Sequence, residues 1–192
     1  MMANREEIRL CGYGGQGIIL AGHIIGQAAS IFEHKHATYI RDYGPEARGG
    51  TCRADVVISD EEVIYPYISA SSVLVAMSQQ AYDKYHIENL EDALVVIDED
   101  LVKPVSDKHR VLAIPARRIA EGLGGVMVAN IVMLGFLTAV TDIASADSMK
   151  KSLLAAVPKG TEELNIRAFE KGYAYGLKQT GSAKDTIAWP GT

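Results

Sequence analysis

The sequence predicts an α/β fold, a three-layer αβα sandwich with a mainly parallel sheet, one β-hairpin and a helical C-terminal third. Three observations carry that prediction. Short apolar runs of buried-strand length, at 8–11, 72–77, 93–97 and 111–114, alternate with stretches of helical composition, the pattern of a parallel sheet covered on both faces. Between the first run and the next helix lies a glycine-rich turn, Gly12-Tyr13-Gly14-Gly15-Gln16-Gly17. Beyond residue 128 the apolar positions are spaced for helices. At 192 residues the chain is long enough for a single sizeable core, and it reads as one domain over 1–180 with a polar tail over 181–192.

Each element follows from local chemistry. The first strand, 8–11, runs into the glycine turn and a helix over 17–30, where Gly22 and Gly26 lie one turn apart. Glycine weakens a helix, so the pair signals close packing on the sheet. An extended segment at 37–42 leads into Tyr43-Gly44-Pro45-Glu46-Ala47-Arg48-Gly49-Gly50. From 51 to 59, Cys52, Ala54, Val56 and Ile58 alternate with Arg53, Asp55 and Val57, which describes a half-buried strand. The polar Asp60-Glu61-Glu62 reads as a turn into Val63-Ile64-Tyr65, making a hairpin that Pro66 ends. Ser78 is placed to cap a helix over 79–85, Asp98 closes the strand at 93–97, and Pro115 precedes a helix reaching Leu123. The stretch 128–141 is apolar almost all round and is expected to be buried on more than one side. A helix over 148–157 stops at Pro158, and Thr161 caps the last helix, which carries Glu162 and Glu163 in its first turn and runs to about Lys178.

Bulk composition excludes several classes of function. The formal net charge of −5 argues against a nucleic-acid partner, which needs clustered excess Lys and Arg. A phosphate ligand therefore has to be held by a local cradle. The longest apolar stretch, 126–140, contains Asn130 and is too short for a bilayer core of about 30 Å. Residues 1–7 are polar and carry no secretory hydrophobic region, so the expected location is cytoplasmic, with no membrane contact. Cys11 and Cys52 lie far apart without a CxxC, which rules out a self-contained iron–sulfur site. Both are expected to be buried and inert. His34-Lys35-His36 has no third ligand at metal spacing, and no metal site is expected.

The glycine turn follows a strand and opens a helix, the usual setting for a phosphate on free helix N–H groups. A dinucleotide site also needs an acid about 20 residues on, at the end of the second strand, for the ribose. Asp42 is the candidate, but it runs at once into the 43–50 segment, which is too elaborate for an ordinary strand–helix connection. No Lys-Ser or Lys-Thr follows the glycines, so this is no Walker loop, and no GxSxG nucleophile motif is present. The 43–50 segment is the second strong feature. Pro45 fixes a turn, Gly44, Gly49 and Gly50 permit unusual dihedrals, and Arg48 offers a planar fork for a carboxylate, a phosphate or a partner acid.

These two segments occur in order with Val57-Ile58-Ser59-Asp60, Asn130-Ile131-Val132-Met133-Leu134-Gly135 and Asn165-Ile166-Arg167-Ala168-Phe169-Glu170-Lys171-Gly172-Tyr173. Together, over nearly the whole chain, they resemble the gamma subunit, or gamma domain, of the 2-oxoacid:ferredoxin oxidoreductases, a family acting on pyruvate, ketoisovalerate or 2-oxoglutarate. The wording of 43–50 is similar to the 2-oxoglutarate type. The resemblance implies one subunit of a hetero-oligomeric enzyme that decarboxylates a 2-oxoacid on thiamine diphosphate. Electrons pass through iron–sulfur clusters to ferredoxin, and an acyl-coenzyme A is released. It assigns thiamine diphosphate and the iron–sulfur clusters to the alpha, beta and delta partner chains, leaving this chain inactive alone. It also makes the chain a lid beside the active site that helps receive coenzyme A. On that basis Gly12, Gly14, Gly15, Gln16 and Gly17 are expected against the coenzyme A phosphate or pantetheine, with Arg48 at the catalytic interface. Asn130 is expected at the sheet edge, supporting the glycine turn by a side-chain hydrogen bond. The rival reading is a stand-alone, regulatory adenine-nucleotide-binding module using the same turn.

Overall fold

A computed structural model of the chain describes residues 5–44, 50–105 and 109–181. Along the sequence lie β1 (Arg5–Tyr13), α1 (Ile18–Gln27), β2 (His36–Tyr43), β3 (Thr51–Ser59), β4 (Ser71–Ala76), α2 (Gln79–Tyr85), β5 (Asn89–Asp98), β6 (Arg110–Ile114), α3 (Ala116–Gly122), α4 (Ala129–Val140), α5 (Ala146–Ala156) and α6 (Glu162–Thr180). The strands form one sheet in the order β2-β3-β1-β4-β5-β6. From β1 to β6 all neighbours are parallel, whereas β3 runs antiparallel to both β1 and β2. One face packs α1 and the C-terminal helices, and the other packs α2. This is the α/β sandwich that the alternating runs predict, with its helical last third.

The hairpin lies elsewhere than expected. β3 pairs with β2, the strand before it, and 63–65 forms no strand. The reason is geometric. Ile58 sits between Glu6 of β1 and Ala37 of β2, so β3 has no free edge, and the neighbouring Pro66 has no N–H to give to a ladder. Two helix starts also differ. The Thr161 hydroxyl turns back to donate to Pro158 O (2.7 Å) and leaves α6 without a side-chain cap. α5 begins earlier, where Ser145 Oγ accepts from Ser148 N (3.1 Å). Ser78 does cap α2, accepting from Ala81 N (3.3 Å).

α4 is buried at every residue and packs against α6 over most of its length. Two glycines allow that approach. A Cβ built on Gly135 would collide with the Phe169 carbonyl, and one on Gly172 with the Val132 carbonyl. On the opposite side of the sheet, beside the apolar cluster that packs α2, lies a buried pair of charges. Arg9 and Asp55 face each other across the β1–β3 ladder, are 2% and 6% exposed, and make a bidentate pair at 2.9 and 3.1 Å. Arg9 also donates to Glu88, just beyond α2, and its guanidinium lies 5.4 Å from the centre of the Tyr85 ring.

At the foot of β1, Glu6 is buried, with the Ser72 hydroxyl donating to its Oε2 (3.1 Å). Burial pushes this carboxyl above its ordinary value of 4.5, and the Ser72 bond and Lys35 offset only part of that. The folded chain therefore holds the proton more tightly than the unfolded one. The stability this supplies is fully present below the unfolded pKa and is lost as pH rises through the folded value. Glu6→Gln, neutral throughout, is expected to flatten the change of urea midpoint with pH between about 4 and 7. An unchanged slope would mean that Glu6 ionises as freely in the fold as in the open chain.

Candidate functional site

The glycine turn lies at the carboxyl ends of the parallel strands, where β1 and β4 diverge. From β1 the chain crosses to α1 on one face, and from β4 to α2 on the other, so this is the switch point at which open α/β sheets bind ligands. Gln16 bridges it. Its Oε1 accepts from Tyr13 N (2.6 Å) and its Nε2 donates to Met77 O (2.8 Å), tying the end of β1 to the end of β4. Gly14 N donates to Gly50 O (3.0 Å), which fastens the turn to the residue before β3.

Gly15 and Gly17 hold φ of +96° and +74°, the left-handed region that favours glycine. Gly17 is also the residue on which α1 starts, and a side chain there would run into Asn130. Asn130, at the second position of α4 and 3% exposed, donates from Nδ2 to Gly17 O (3.1 Å). Its Oδ1 is buried without a partner among the described residues.

Gly12 belongs to β1 and lies beneath Gln16 and Ile18, so it allows the turn to close rather than facing outward. Arg48 lies outside the described residues. Asp42, the acid a dinucleotide would need, sits on the outermost strand with β3 between it and β1, and pairs with Arg53 at 3.4 Å.

Two clefts flank the turn, and Gly15 lines both. The first, about 520 Å³, is bounded by Tyr13, Met77, Leu101, Val126 and Met127, with Gln16, Ser78, Gln79 and Arg117 as its polar groups. The second, about 620 Å³, opens onto the first turn of α1 and onto His23, Tyr39, Arg41 and Tyr43. Ile18 and Ile19 have no intrahelical acceptor for their N–H groups, so this cleft joins a helix N-terminus to an arginine. Sequence reasoning missed Arg41, Met77 to Gln79, Arg117 and Met127. The positions at the end of β4, in the first turn of α3 and before α4 could have been marked by the rule that ligands bind beyond the carboxyl ends of parallel strands.

Cys11 and Cys52 are buried in the packing layers on opposite faces of the sheet, and burial pushes both thiols upward. Neither is placed to act as a nucleophile or to share a cluster. Asp98, fully buried at the end of β5, accepts from Asp100 N (3.1 Å) and Arg117 N (2.8 Å), fixing the wall of the first cleft. Among the described residues no group of three or more His, Cys, Asp or Glu could hold a metal, and no helix is long and apolar enough to cross a membrane.

The family model for pyruvate ferredoxin/flavodoxin oxidoreductase matches residues 7–175. The chain belongs to that family. It is 52% identical over 175 residues to the 2-oxoglutarate synthase subunit KorC of Methanocaldococcus jannaschii, covering 88% of this chain and 92% of that one. Among solved structures, the gamma subunit of a keto/oxoacid ferredoxin oxidoreductase from Geobacter sulfurreducens superposes with a TM-score of 0.81 at 39% identity, covering 90% of this chain and 99% of its own. The 2-oxoglutarate:ferredoxin oxidoreductase of Magnetococcus marinus, solved with 2-oxoglutarate, coenzyme A and succinyl-CoA bound, shares the fold at a TM-score of 0.83 and 24% identity. There the match covers 97% of this chain but 33% of the longer one. The chain is thus a subunit of a 2-oxoacid:ferredoxin oxidoreductase, similar to the 2-oxoglutarate synthase subunits.

Proposed function

We propose that this subunit closes over the coenzyme A side of a 2-oxoglutarate-type oxidoreductase, assembled with alpha, beta and delta chains that hold thiamine diphosphate and the iron–sulfur clusters and pass electrons to ferredoxin. The observation that carries this reading is the pair of clefts that meet at Gly15, one of them opening on the N-terminus of α1. Coenzyme A has two parts to place, a phosphorylated adenosine diphosphate at one end and an uncharged pantetheine arm at the other. The helix N-terminus and Arg41 suit the anion, and the Met- and Tyr-lined cleft suits the arm.

The work of this chain is positioning. Gln16 and Asn130 hold the turn in one shape, Gly15 lets a ligand approach the backbone, and Arg48 is assigned to the catalytic interface on its motif alone. Coenzyme A, when bound, supplies the thiol that accepts the acyl group. Its own two cysteines are buried and their thiols pushed up by burial, so neither offers a competing thiolate.

Calorimetric titration of the assembled enzyme with coenzyme A tests the assignment. Gln16→Ala removes both side-chain bonds by which Gln16 holds the turn and is expected to weaken binding by about tenfold, roughly the free energy of one lost hydrogen bond. The thermal midpoint of the isolated chain should move little. Unchanged affinity would take the turn out of the coenzyme A site.

A further inference from the structure

At the opposite end of β1 the surface is apolar where nothing in the fold requires it. Ile64 is 91% exposed and Ile87 77%, and Tyr65, Tyr67 and Leu90 are exposed with them. Leu90 and Arg5 line one shallow groove with Ser69 and Ala70, and Arg5 in turn donates to Tyr65 O (3.0 Å), so the two stretches flank the foot of β1. The backbone of 65–69 is pinned from beneath by polar bonds. Besides Arg5, Thr38 Oγ1 donates to Pro66 O (3.4 Å) and Ser69 N to Glu7 Oε2 (3.2 Å). The large side chains therefore take no part in holding the loop and are presented outward, with the Tyr65 and Tyr67 rings 5.5 Å apart. Exposed apolar clusters with tyrosines are the usual composition of an interface core.

The charge around the patch selects its occupant. Asp60, Glu61 and Glu62 precede Ile64, and Glu91 and Asp92 follow Leu90, all five exposed. None forms an ion pair among the described residues, whereas Arg5 is already engaged by Glu7 at 2.8 Å. A second copy of this chain would bring acid against acid. A surface with an apolar centre and a rim of Lys and Arg would match. The same fold also occurs as one third of a longer polypeptide in the Magnetococcus marinus enzyme, where a covalent link keeps the rest of the chain alongside. A subunit with the length of the Methanocaldococcus jannaschii relative, 92% of which is matched here, has to secure that proximity by contact.

We propose that the patch formed by Ile64, Tyr65, Tyr67, Ile87 and Leu90 is a permanent docking face for a subunit of the same oxidoreductase, one with an apolar centre and a basic rim. The proposal rests on the subunit reading above. It places the anchor about 26 Å, eight strand steps of about 3.3 Å, from the glycine turn, so that docking leaves both clefts free.

The test is co-expression with the partner subunits of the enzyme, followed by size-exclusion chromatography with light scattering. Wild type is expected to elute in the complex. Ile64→Glu combined with Tyr65→Glu should weaken association by about tenfold or more, while circular dichroism and the thermal midpoint of the isolated chain stay unchanged. Glu61→Lys with Glu62→Lys, wholly on the surface, should also lower association. Full assembly of both variants alongside wild type would overturn the docking face and leave the subunit reading intact. An isolated wild-type dimer that Ile64→Glu dissociates, with complex assembly untouched, would make a second copy the occupant and equally overturn it. Wild type failing to elute with the oxidoreductase subunits would instead sink the subunit reading, and the proposal with it.

Discussion

Alanine at Gly172 is expected to cost about 3 kcal/mol or more, the upper end of what overpacking a core does, and to lower the thermal midpoint by roughly 10 °C for a chain of this size. The cause is backbone against backbone. A methyl group at Gly172 meets the Val132 carbonyl of α4, and one at Gly135 meets the Phe169 carbonyl of α6. Neither obstacle is a side chain that could swing aside, so the helices have to separate. Gly176→Ala offers an internal comparison. Its nearest obstacle is the Ala139 methyl, 2.6 Å from the built Cβ, and a methyl–methyl conflict is more easily relaxed by small shifts. Urea denaturation of the three variants should rank Gly172 and Gly135 well above Gly176. A loss under 1 kcal/mol at Gly172 would show that α4 and α6 can slide apart freely. Because α4 also carries Asn130, the two severe variants should disturb the glycine turn at temperatures where the chain is still folded.

The second large effect is expected at the buried ion pair beneath α2. Arg9→Met leaves Asp55 buried with Arg53 3.7 Å away as its remaining cation, and Asp55→Leu leaves Arg9 with Glu88 alone. Breaking one side of a buried pair costs about 3–5 kcal/mol, because the surviving charge stays out of water uncompensated. The double variant is the informative one. With both charges gone, Glu88 at the rim can turn to solvent, Arg53 keeps Asp42, and the ladder site becomes hydrocarbon. Its stability should return to within about 1–2 kcal/mol of wild type, because replacing a whole buried pair by hydrocarbon removes the desolvation cost together with the attraction. Additive losses in the double variant would mean that Arg9 and Asp55 act separately, each through its own neighbours.

Much of this fold was legible because the relevant information is local. The runs at 72–77, 93–97 and 111–114 are apolar on both faces, which a strand covered on both sides requires, and Ser78 announces α2 by a cap that needs three residues to define. The hairpin was misplaced because local alternation is blind to partners. The stretch 51–59 reads as a half-buried strand whether its neighbour precedes or follows it, and only the sheet shows that β1 and β2 occupy both its edges. The same limit applies to the ion pair, since Arg9 and Asp55 are separated by 46 residues and each looks like a solvated charge until the register is known. At the site, the glycines were legible from their spacing. Their division of labour was not. Gln16 is occupied in bridging strands, Gly12 lies beneath it, and Arg41 comes to the second cleft from a strand that enters the sheet two places away.

β1 runs without interruption from Arg5 at its foot to Tyr13 at the turn, paired with β3 over its whole length and with β4 over Ile8–Cys11. Mechanically it is a lever. If the body tilts about its foot by about 2°, a rod of about 26 Å carries the glycine turn sideways by nearly 1 Å. A displacement of that size is enough to change catalytic rates about a hundredfold when it moves a reacting group. How squarely the far end of this subunit is seated would then govern what happens at the near end, with no rearrangement inside the subunit.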